Sequence, residues 1–414
     1  MNSIAPVQLK DREIFMDVLR GFAILGIFIA NLQYFSYYNS RITEGIFLYP
    51  AIDKKISFLH GMFVEGKFYS IFSLLFGWGI ALQMSRSKLD DKLITKFIRR
   101  RLCFMMLLGG IHLIFIWTGD IVCFYSMVGF ILLAMRKMSN KKLLTIGITL
   151  ILSPILLYFL KMNFLWLNVP AKLLVDSADY LQHHFAGIKE GVDESTIIKG
   201  SQNLFTDISI NMSNVPFRFA YLFFVSRIPK VLGMMLIGFV IGRSGFYKKA
   251  MQYKKQLIFF VVVGLIIALP ANYMLAHYMK NPDNYYKLKI EGWYETIAYA
   301  LGVAPLALVY VIVLALMFQQ KFLHSILKIV APVGKMAFSN YMMHSIIGII
   351  TFYGIGFGMM EKVGPLAWTI FAVIVFISQI IISTIWLRYF EFGPIEWIWR
   401  SLTYGRKQPL KKQD

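Results

Sequence analysis

The sequence is short of charge, short of acid and nearly free of cysteine. Only 16% of its 414 residues are charged, against roughly 25% in a soluble globular chain. With 57% of the residues hydrophobic, that shortage excludes a soluble enzyme and a disordered tail alike. Two cysteines, Cys103 and Cys123, both within apolar runs, provide neither a disulfide framework nor a cysteine-based zinc site. Acids number 22 against 43 Lys+Arg, a formal net charge of +21. A nucleic-acid binder with that excess needs a water-exposed basic face. This composition leaves little soluble surface to carry one, so no nucleic-acid partner is expected. Walker A, HExxH and GxSxG motifs are all missing, and the GIGFG at 354–358 follows no predicted strand. What the chain has in quantity is apolar length, and it reads as an all-α integral membrane protein.

A membrane-crossing helix needs about 20 predominantly apolar residues. About ten stretches qualify, near 14–36, 58–84, 101–118, 120–136, 143–160, 217–243, 256–277, 294–317, 336–357 and 366–388. The first is too long for a cleaved signal peptide. Basic residues gather between alternate spans: Arg86 to Arg101, Arg136 to Lys142, then Arg243, Lys248, Lys249, Lys254 and Lys255, and finally the tail from Arg400 to Lys412. The positive-inside rule places these segments on the cytoplasmic side, with both termini there. The long loop at 162–216 falls on the other side, where Asp176, Asp179, Glu190, Asp193, Glu194 and Asp207 outnumber the bases. The expected organisation is a five-span half at 1–160, this outer loop at 161–216, a second five-span half at 217–400 and a basic tail at 401–414, with no internal repeat. For the outer loop, amphipathic helices on the leaflet surface and a solvated loop are both open. Its His183-His184 pair is a weak metal signal, because neighbours on a helix point about 100° apart, and no metal is expected.

Ionisable residues inside a bilayer are costly and are functional candidates by default. On the first span Asp17 and Arg20 precede Asn31, which stands eleven residues after Arg20, on the same face and about 16 Å along the axis. The alternative is an interfacial Asp17–Arg20 ion pair. Arg101 and His112 repeat the eleven-residue spacing on the third span, which ends in the tight Thr118-Gly119-Asp120. A His within reach of an Asp is what a general base requires; the alternative is an Asp120 that merely caps the next helix. On the sixth span Arg227 and Lys230 bracket Pro229, and a broken helix with two cations suits an anionic group such as a phosphate. Simple snorkelling of both side chains is the competing reading. The ninth span, GKMAFSNYMMHS, collects Ser339, Asn340, Tyr341, His344 and Ser345 within two turns, either for a substrate or for contacts between helices. Glu65 stands at the outer end of the second span, ahead of FYSIFSLLFGWG, whose Gly77 and Gly79 suit close helix packing.

These same stretches carry a resemblance. MDVLRGFAILGIFIAN, FSLLFG, RRLCFMMLLGGIHLIFIWTGDIVCFYSMVG, GKMAFSNYMMHS and FEFGPIEWIWRSLTYGRKQP resemble the bacterial YeiB family, which carries the C-terminal domain of unknown function 418. The likeness covers nearly the whole chain, and TGDI and GPIEWIWR are its most specific parts. More distantly, the first span is similar to that of the transmembrane acyltransferases: acyltransferase family 3, the glucan-succinyltransferase type and the lysosomal heparan-glucosaminide acetyltransferase type. That resemblance implies a bundle of about ten spans in a bacterial inner membrane. It also implies a cytoplasmic acyl-CoA donor and an acceptor approaching from the other side. Arg20 matches the arginine of acyltransferase family 3, but the histidine that follows it in that family is Asn31 here. Asn cannot serve as a general base.

The residues themselves supply a substitute. His112 and Asp120 are expected as base and orienter, with Asn31 positioning the acceptor hydroxyl or the thioester carbonyl. Arg20, Arg101, Arg227 and Lys230 are candidates for contacts to the phosphates of acyl-CoA. Asn340, Tyr341, His344 and Glu65 are candidates for a lipid-linked or glycan acceptor. The alternative is a transporter or lipid-handling protein for an anionic small molecule. Membrane lipids are partners in either case, and the oligomeric state stays open, a homodimer among the options.

Overall fold

A computed structural model describes residues 13–38, 49–189, 191–245 and 252–412, the side chain of Pro282 excepted. Glu190, Lys248 and Lys249, whose charges were sorted above, lie outside the described residues, as does the N-terminal segment 1–12. The described residues form helices and no strand; an isolated antiparallel bridge joins Phe390 to Lys411. The first six helices are α1 (Ile14–Phe35), α2 (Pro50–Phe63), α3 (Lys67–Arg86), α4 (Asp91–Phe115), α5 (Val122–Met135) and α6 (Asn140–Asn163). The former outer-loop region is itself helical, as α7 (Val169–His184), α8 (Glu194–Gly200) and α9 (Leu204–Ser213). Next come α10 (Val215–Phe224), α11 (Arg227–Ser244), α12 (Lys254–Tyr278), α13 (Pro282–Tyr286) and α14 (Ile290–Phe318). The chain closes with α15 (Lys321–Lys328), α16 (Ala331–Lys335), α17 (Ala337–Phe352), α18 (Pro365–Tyr389) and α19 (Pro394–Tyr404).

Six helical stretches are long and apolar enough to cross a membrane: α1, α2 with α3, α6, α12, α14 and α18; the run from α9 through α11, bent by 67°, makes a seventh if it counts as one span. This is a multi-pass membrane protein. The three remaining stretches of the expected ten are helical but fall short on this measure. α4 carries Lys92, Lys96 and Arg99 to Arg101 on its first half. α5 has 14 residues and α17 has 16, about 21 and 24 Å of helix against a hydrocarbon core of about 30 Å.

Lipid tails are as apolar as leucine, so close backbone approach and polar contacts hold membrane helices together. Gly77 on α3 and Gly238 on α11 illustrate this. The place of a Cβ on Gly77 is taken by the carbonyl of Met235, and that on Gly238 by the carbonyl of Leu74. Gly79 meets no such backbone, only the tip of Arg20 at 3.8 Å. The surrounding core draws on both expected halves, with Ile24, Leu74, Met234, Ala307 and Tyr341 in one cluster. α6, α12 and α18 turn large apolar side chains outward, among them Leu156, Phe259, Ile266, Ile374 and Ile382, as lipid-facing helices do.

The break between α10 and α11 comes at Val225 and Ser226, where Ser226 has φ 52°. Pro229 is the third residue of α11, in the first turn, where its missing N–H costs no helical hydrogen bond. The break expected at Pro229 therefore lies just ahead of it. The Lys161 amine donates to the carbonyls of Phe223 and Phe224 at 3.0 and 2.9 Å, placing a cation on the exposed C-terminal carbonyls of α10. The basic tail is folded back: Trp397 Nε1 donates to the Gln408 carbonyl at 2.8 Å, and Arg100 to the Leu402 carbonyl at 2.9 Å.

Candidate functional site

The site is built on the turn between α4 and α5. α4 ends where Trp117 N bonds back to the His112 carbonyl at 2.8 Å, leaving His112 on its last full turn. Asn211 of α9 clamps that end. Its Oδ1 accepts from Thr118 N at 2.7 Å, and its Nδ2 donates to the carbonyls of Leu113 and Ile114 at 2.9 and 2.7 Å. Asp120 then does two things with one carboxylate. Oδ1 accepts from Cys123 N at 2.7 Å, capping the start of α5, and Oδ2 stands 2.9 Å from His112 Nδ1. The His112–Asp120 contact and the cap, set against each other as readings of the sequence, coexist.

His112 Nε2 lies 2.9 Å from Ser345 Oγ on α17. A carboxylate only accepts, so Asp120 holds the proton on Nδ1 and leaves the Nε2 lone pair facing the serine hydroxyl. The order Asp–His–Ser is that of a nucleophile or proton relay activated by an oriented imidazole. All three are buried: Ser345 and His112 are 1% exposed and Asp120 2%. Tyr341 completes the nest, its hydroxyl accepting from Ile121 N at 3.2 Å and its ring centroid 5.5 Å from that of His112.

Beside this group lies a cavity of about 1390 Å³. Its walls come from the C-terminal ends of α1, α4, α12 and α17, the N-terminal ends of α3, α5 and α18, and the α9–α11 segment. Every one of these ends is on the side away from the clustered basic turns. Gly119 and Ile121, on either side of Asp120, line the cavity, whereas His112, Asp120 and Ser345 do not. The triad therefore sits one residue behind the wall. Asn31 and Glu65 line the cavity, as does Arg227. Arg227 donates to the hydroxyls of Tyr299 and Tyr221 at 3.2 and 3.0 Å and lies over the Tyr69 ring at 4.3 Å. Lys230, expected beside it, is not in the wall; its amine sits 3.9 Å above the Tyr299 ring.

The four expected phosphate contacts form two separate groups. Arg20 pairs with Asp17 at 2.8 Å, and Arg101 stacks on Trp399 at 4.3 Å, neither of them in the cavity wall. The span-nine candidates also face elsewhere. Asn340 donates to Ser383 Oγ at 3.2 Å, His344 Nε2 lies 3.0 Å from Gln379 Oε1, and the His344 ring stacks on Phe28 at 4.0 Å. This is a polar seam between α17 and α18, so of the four acceptor candidates Glu65 alone reaches the cavity. His183 bonds to the Ile188 carbonyl and His184 stacks on Tyr180, so the pair does not converge. Among the described residues no three His, Cys, Asp or Glu side chains gather for a metal.

Two residues were not singled out in the sequence, Asn211 on the stretch read as an outer loop and Arg218 at the start of the sixth span; Ser345 was named on the ninth span, but its partner His112 lies 233 positions away. A third is Glu396 of the GPIEWIWR motif: its Oε1 accepts from Phe338 N and Ser339 N at 2.7 and 3.2 Å, and its Oε2 from the Ser339 hydroxyl. It caps the start of α17 and so fixes the helix that carries Ser345.

Residues 241–406, which hold α12 to α19, match the family model described as "Protein of unknown function (DUF418)". The whole chain is 28% identical to the protein YxaH of Bacillus subtilis (strain 168), over 99% of that protein. It is 27% identical to YeiB of Escherichia coli (strain K12), over 96% of this chain and 98% of that one. These matches support a YeiB-like family. The DUF418 segment contains Ser345 and Glu396, while His112, Asp120, Arg218 and Arg227 precede it, so the triad spans its boundary. No solved structure matches the chain.

Proposed function

We propose that this YeiB-like protein transfers an acyl group from a thioester of the acyl-CoA class to a hydroxyl or amine of an amphipathic acceptor held in the cavity. The observation that carries this reading is the buried Asp120–His112–Ser345 line immediately behind the cavity wall. An imidazole oriented by a carboxylate, with its other nitrogen facing a hydroxyl, is the arrangement that general-base acyl transfer uses. In the step proposed, His112 Nε2 takes the acceptor proton through Ser345 Oγ, and the acceptor oxygen or nitrogen bonds to the thioester carbonyl. The C–S bond breaks, and the thiolate leaves with the proton that His112 returns. The Gly119–Ile121 wall must yield for the acceptor to reach Ser345. Asn31, in that cavity, positions the acceptor. Arg20 and Arg101 receive the donor phosphates at the opposite end, Arg101 being about 16 Å below His112 along α4.

This reading carries a topology of ten crossings in a bacterial inner membrane, in which α4, α5, α17 and the bent α10–α11 also cross, with both termini cytoplasmic. The basic turns at Arg86–Arg101, Arg136–Lys142 and Arg243–Lys255 then share one side, and the cavity opens to the other. The purified protein in nanodiscs of bacterial lipid extract should release free thiol from acetyl-CoA, and His112→Gln should abolish the release. Equal release by both proteins refutes the mechanism.

One observation favours a second reading, lipid or anion handling without transfer: Arg227, at the break between α10 and α11, faces the cavity and His112 does not. Movement of an alkyl phosphate across the vesicle membrane without thiol release, lost in Arg227→Gln, would support it.

A further inference from the structure

Two arginines in the cavity wall have no carboxylate ion-pair partner among the described residues. Among the described residues neither Arg218 nor Arg227 forms an ion pair, and each is in the same cavity wall. Both approach one ring: the guanidinium carbons of Arg218 and Arg227 lie 5.5 and 5.8 Å from the centroid of Tyr221. Arg218 spends one terminal nitrogen on the carbonyls of Gly119 and Asp120 at 3.3 and 3.2 Å, and its buried Nε has no partner. A guanidinium deep in a membrane bundle without a counter-charge is costly, and an anion supplied from outside the chain removes that cost. Glu65 acts on Arg227 electrostatically but forms no ion pair with it.

The rest of the cavity says what kind of anion. A volume of about 1390 Å³ exceeds the roughly 300–1,000 Å³ of ordinary small-molecule pockets, so a bare inorganic ion would leave it mostly empty. Its wall mixes apolar side chains such as Ile27, Phe68 and Trp117 with tyrosines such as Tyr34, Tyr69 and Tyr286. Rings of this kind offer one apolar body and one hydrogen-bonding tip each, which suits a molecule with an acyl chain and a hydroxylated head. The acids in the wall are Glu65, just ahead of α3, Glu194 of α8 and Asp207 of α9, while Lys54 and Lys55 belong to α2 and Lys280 follows the end of α12.

We propose that Arg218 and Arg227, both against Tyr221, form a two-arginine site for the phosphate ester of an amphipathic lipid. The site names the class of the acceptor in the acyl-transfer reading and rests on that reading only for what happens after binding. Planar guanidinium groups bind phosphate oxygens through paired, charge-assisted hydrogen bonds, and two of them around one group fix its place along the cavity. Because Arg218 also holds the Gly119 and Asp120 carbonyls, a phosphate engaged there sits next to the wall that covers His112.

The test is thermal unfolding of the purified protein in a neutral glycoside detergent, titrated with dodecyl phosphate, with 1-dodecanol and with inorganic phosphate. Dodecyl phosphate should raise the unfolding temperature in a saturable way and dodecanol should not. Inorganic phosphate should act only as a weak competitor; if it binds as tightly as dodecyl phosphate, the ligand is a free phosphate and the lipid assignment falls. Arg218→Gln and Arg227→Gln should each weaken dodecyl phosphate binding about tenfold or more, equivalent to ~1.4 kcal/mol. Arg218→Lys, which keeps the charge and loses the fork, guards against misfolding and should fall between wild type and Arg218→Gln. Equal binding by wild type and both Gln variants overturns the site. His112→Gln should bind dodecyl phosphate as wild type does, so loss of transfer with binding retained separates failure of the chemistry from failure of the site.

Discussion

Asp120 offers the sharpest separation between fold and chemistry, because its two oxygens have different tasks. Asp120→Asn keeps Oδ1 for Cys123 N, so the cap on α5 survives. The amide at the other position can only donate, which forces the His112 proton from Nδ1 to Nε2 and turns the nitrogen facing Ser345 from acceptor to donor. Packing is conserved and the base is lost, so transfer should fall by about 10²–10⁴-fold, the range of general-base catalysis. Asp120→Ala removes both contacts. The lost cap costs ~1 kcal/mol and the unpaired, buried His112 Nδ1 a further ~1–3 kcal/mol, or about 2–4 kcal/mol together. Urea unfolding in mild detergent should rank the stabilities as wild type close to Asp120→Asn and both well above Asp120→Ala. Thiol release from acetyl-CoA should rank wild type far above the two variants. Full activity in Asp120→Asn, or equal stability of the two variants, would refute the assignment of one oxygen to the cap and the other to the base.

Other perturbations have equally definite outcomes. Glu396→Ala leaves Phe338 N and both Ser339 donors without their acceptor and should cost ~1–3 kcal/mol, read as a lower urea midpoint, with Glu396→Gln retaining part of it. Gly77→Ala drives a methyl group into the Met235 carbonyl and should destabilise the α3–α11 contact by ~1–3 kcal/mol, whereas Gly79→Ala, which meets only the tip of Arg20, should be close to neutral in the same assay. Burial raises the Glu194 carboxyl above the usual carboxylate range, opposed by hydrogen bonds from Asn214 and Tyr37. The folded state therefore binds that proton more tightly than the unfolded chain, and the stability it contributes at low pH is lost as pH rises through the raised value. Protease cleavage within 162–216 should accordingly increase with pH in wild type and depend less on pH in Glu194→Gln.

Much of the frame was legible because membranes impose simple rules on sequence. Apolar length located the six membrane-length stretches but not the short helices α7, α8, α9, α13, α15, α16 and α19, and the alternation of basic turns put one end of α3, α4, α5, α6 and α11 on a common side. His112 and Asp120 could be paired from sequence because the turn between α4 and α5 brings residues eight apart back on themselves. Ser345 could not, since only the fold brings α17 beside α4. The Arg–x10–polar spacing correctly put residues on one helix face but said nothing about which neighbour that face meets. Thus Asn31 reached the cavity while His112, at the matching position, packed into the core. Arg218 went unnoticed because it stands at the very start of the sixth span, whose reading rested on Arg227 and Lys230 around Pro229, although Pro216 two residues earlier sits where a helix start favours proline. The span count divides for a physical reason too: α5 and α17 are short and the first half of α4 is basic, so by length and composition they fall below the longer apolar helices.

The most direct test of acyl transfer is a comparison of intact lipids by mass spectrometry from bacterial membranes containing wild-type protein and from membranes containing His112→Gln at equal abundance. A phosphate-bearing lipid that gains the mass of an acyl group with the wild type, and stays unmodified with His112→Gln, is the predicted result. Identical lipid profiles from the two membranes would contradict it.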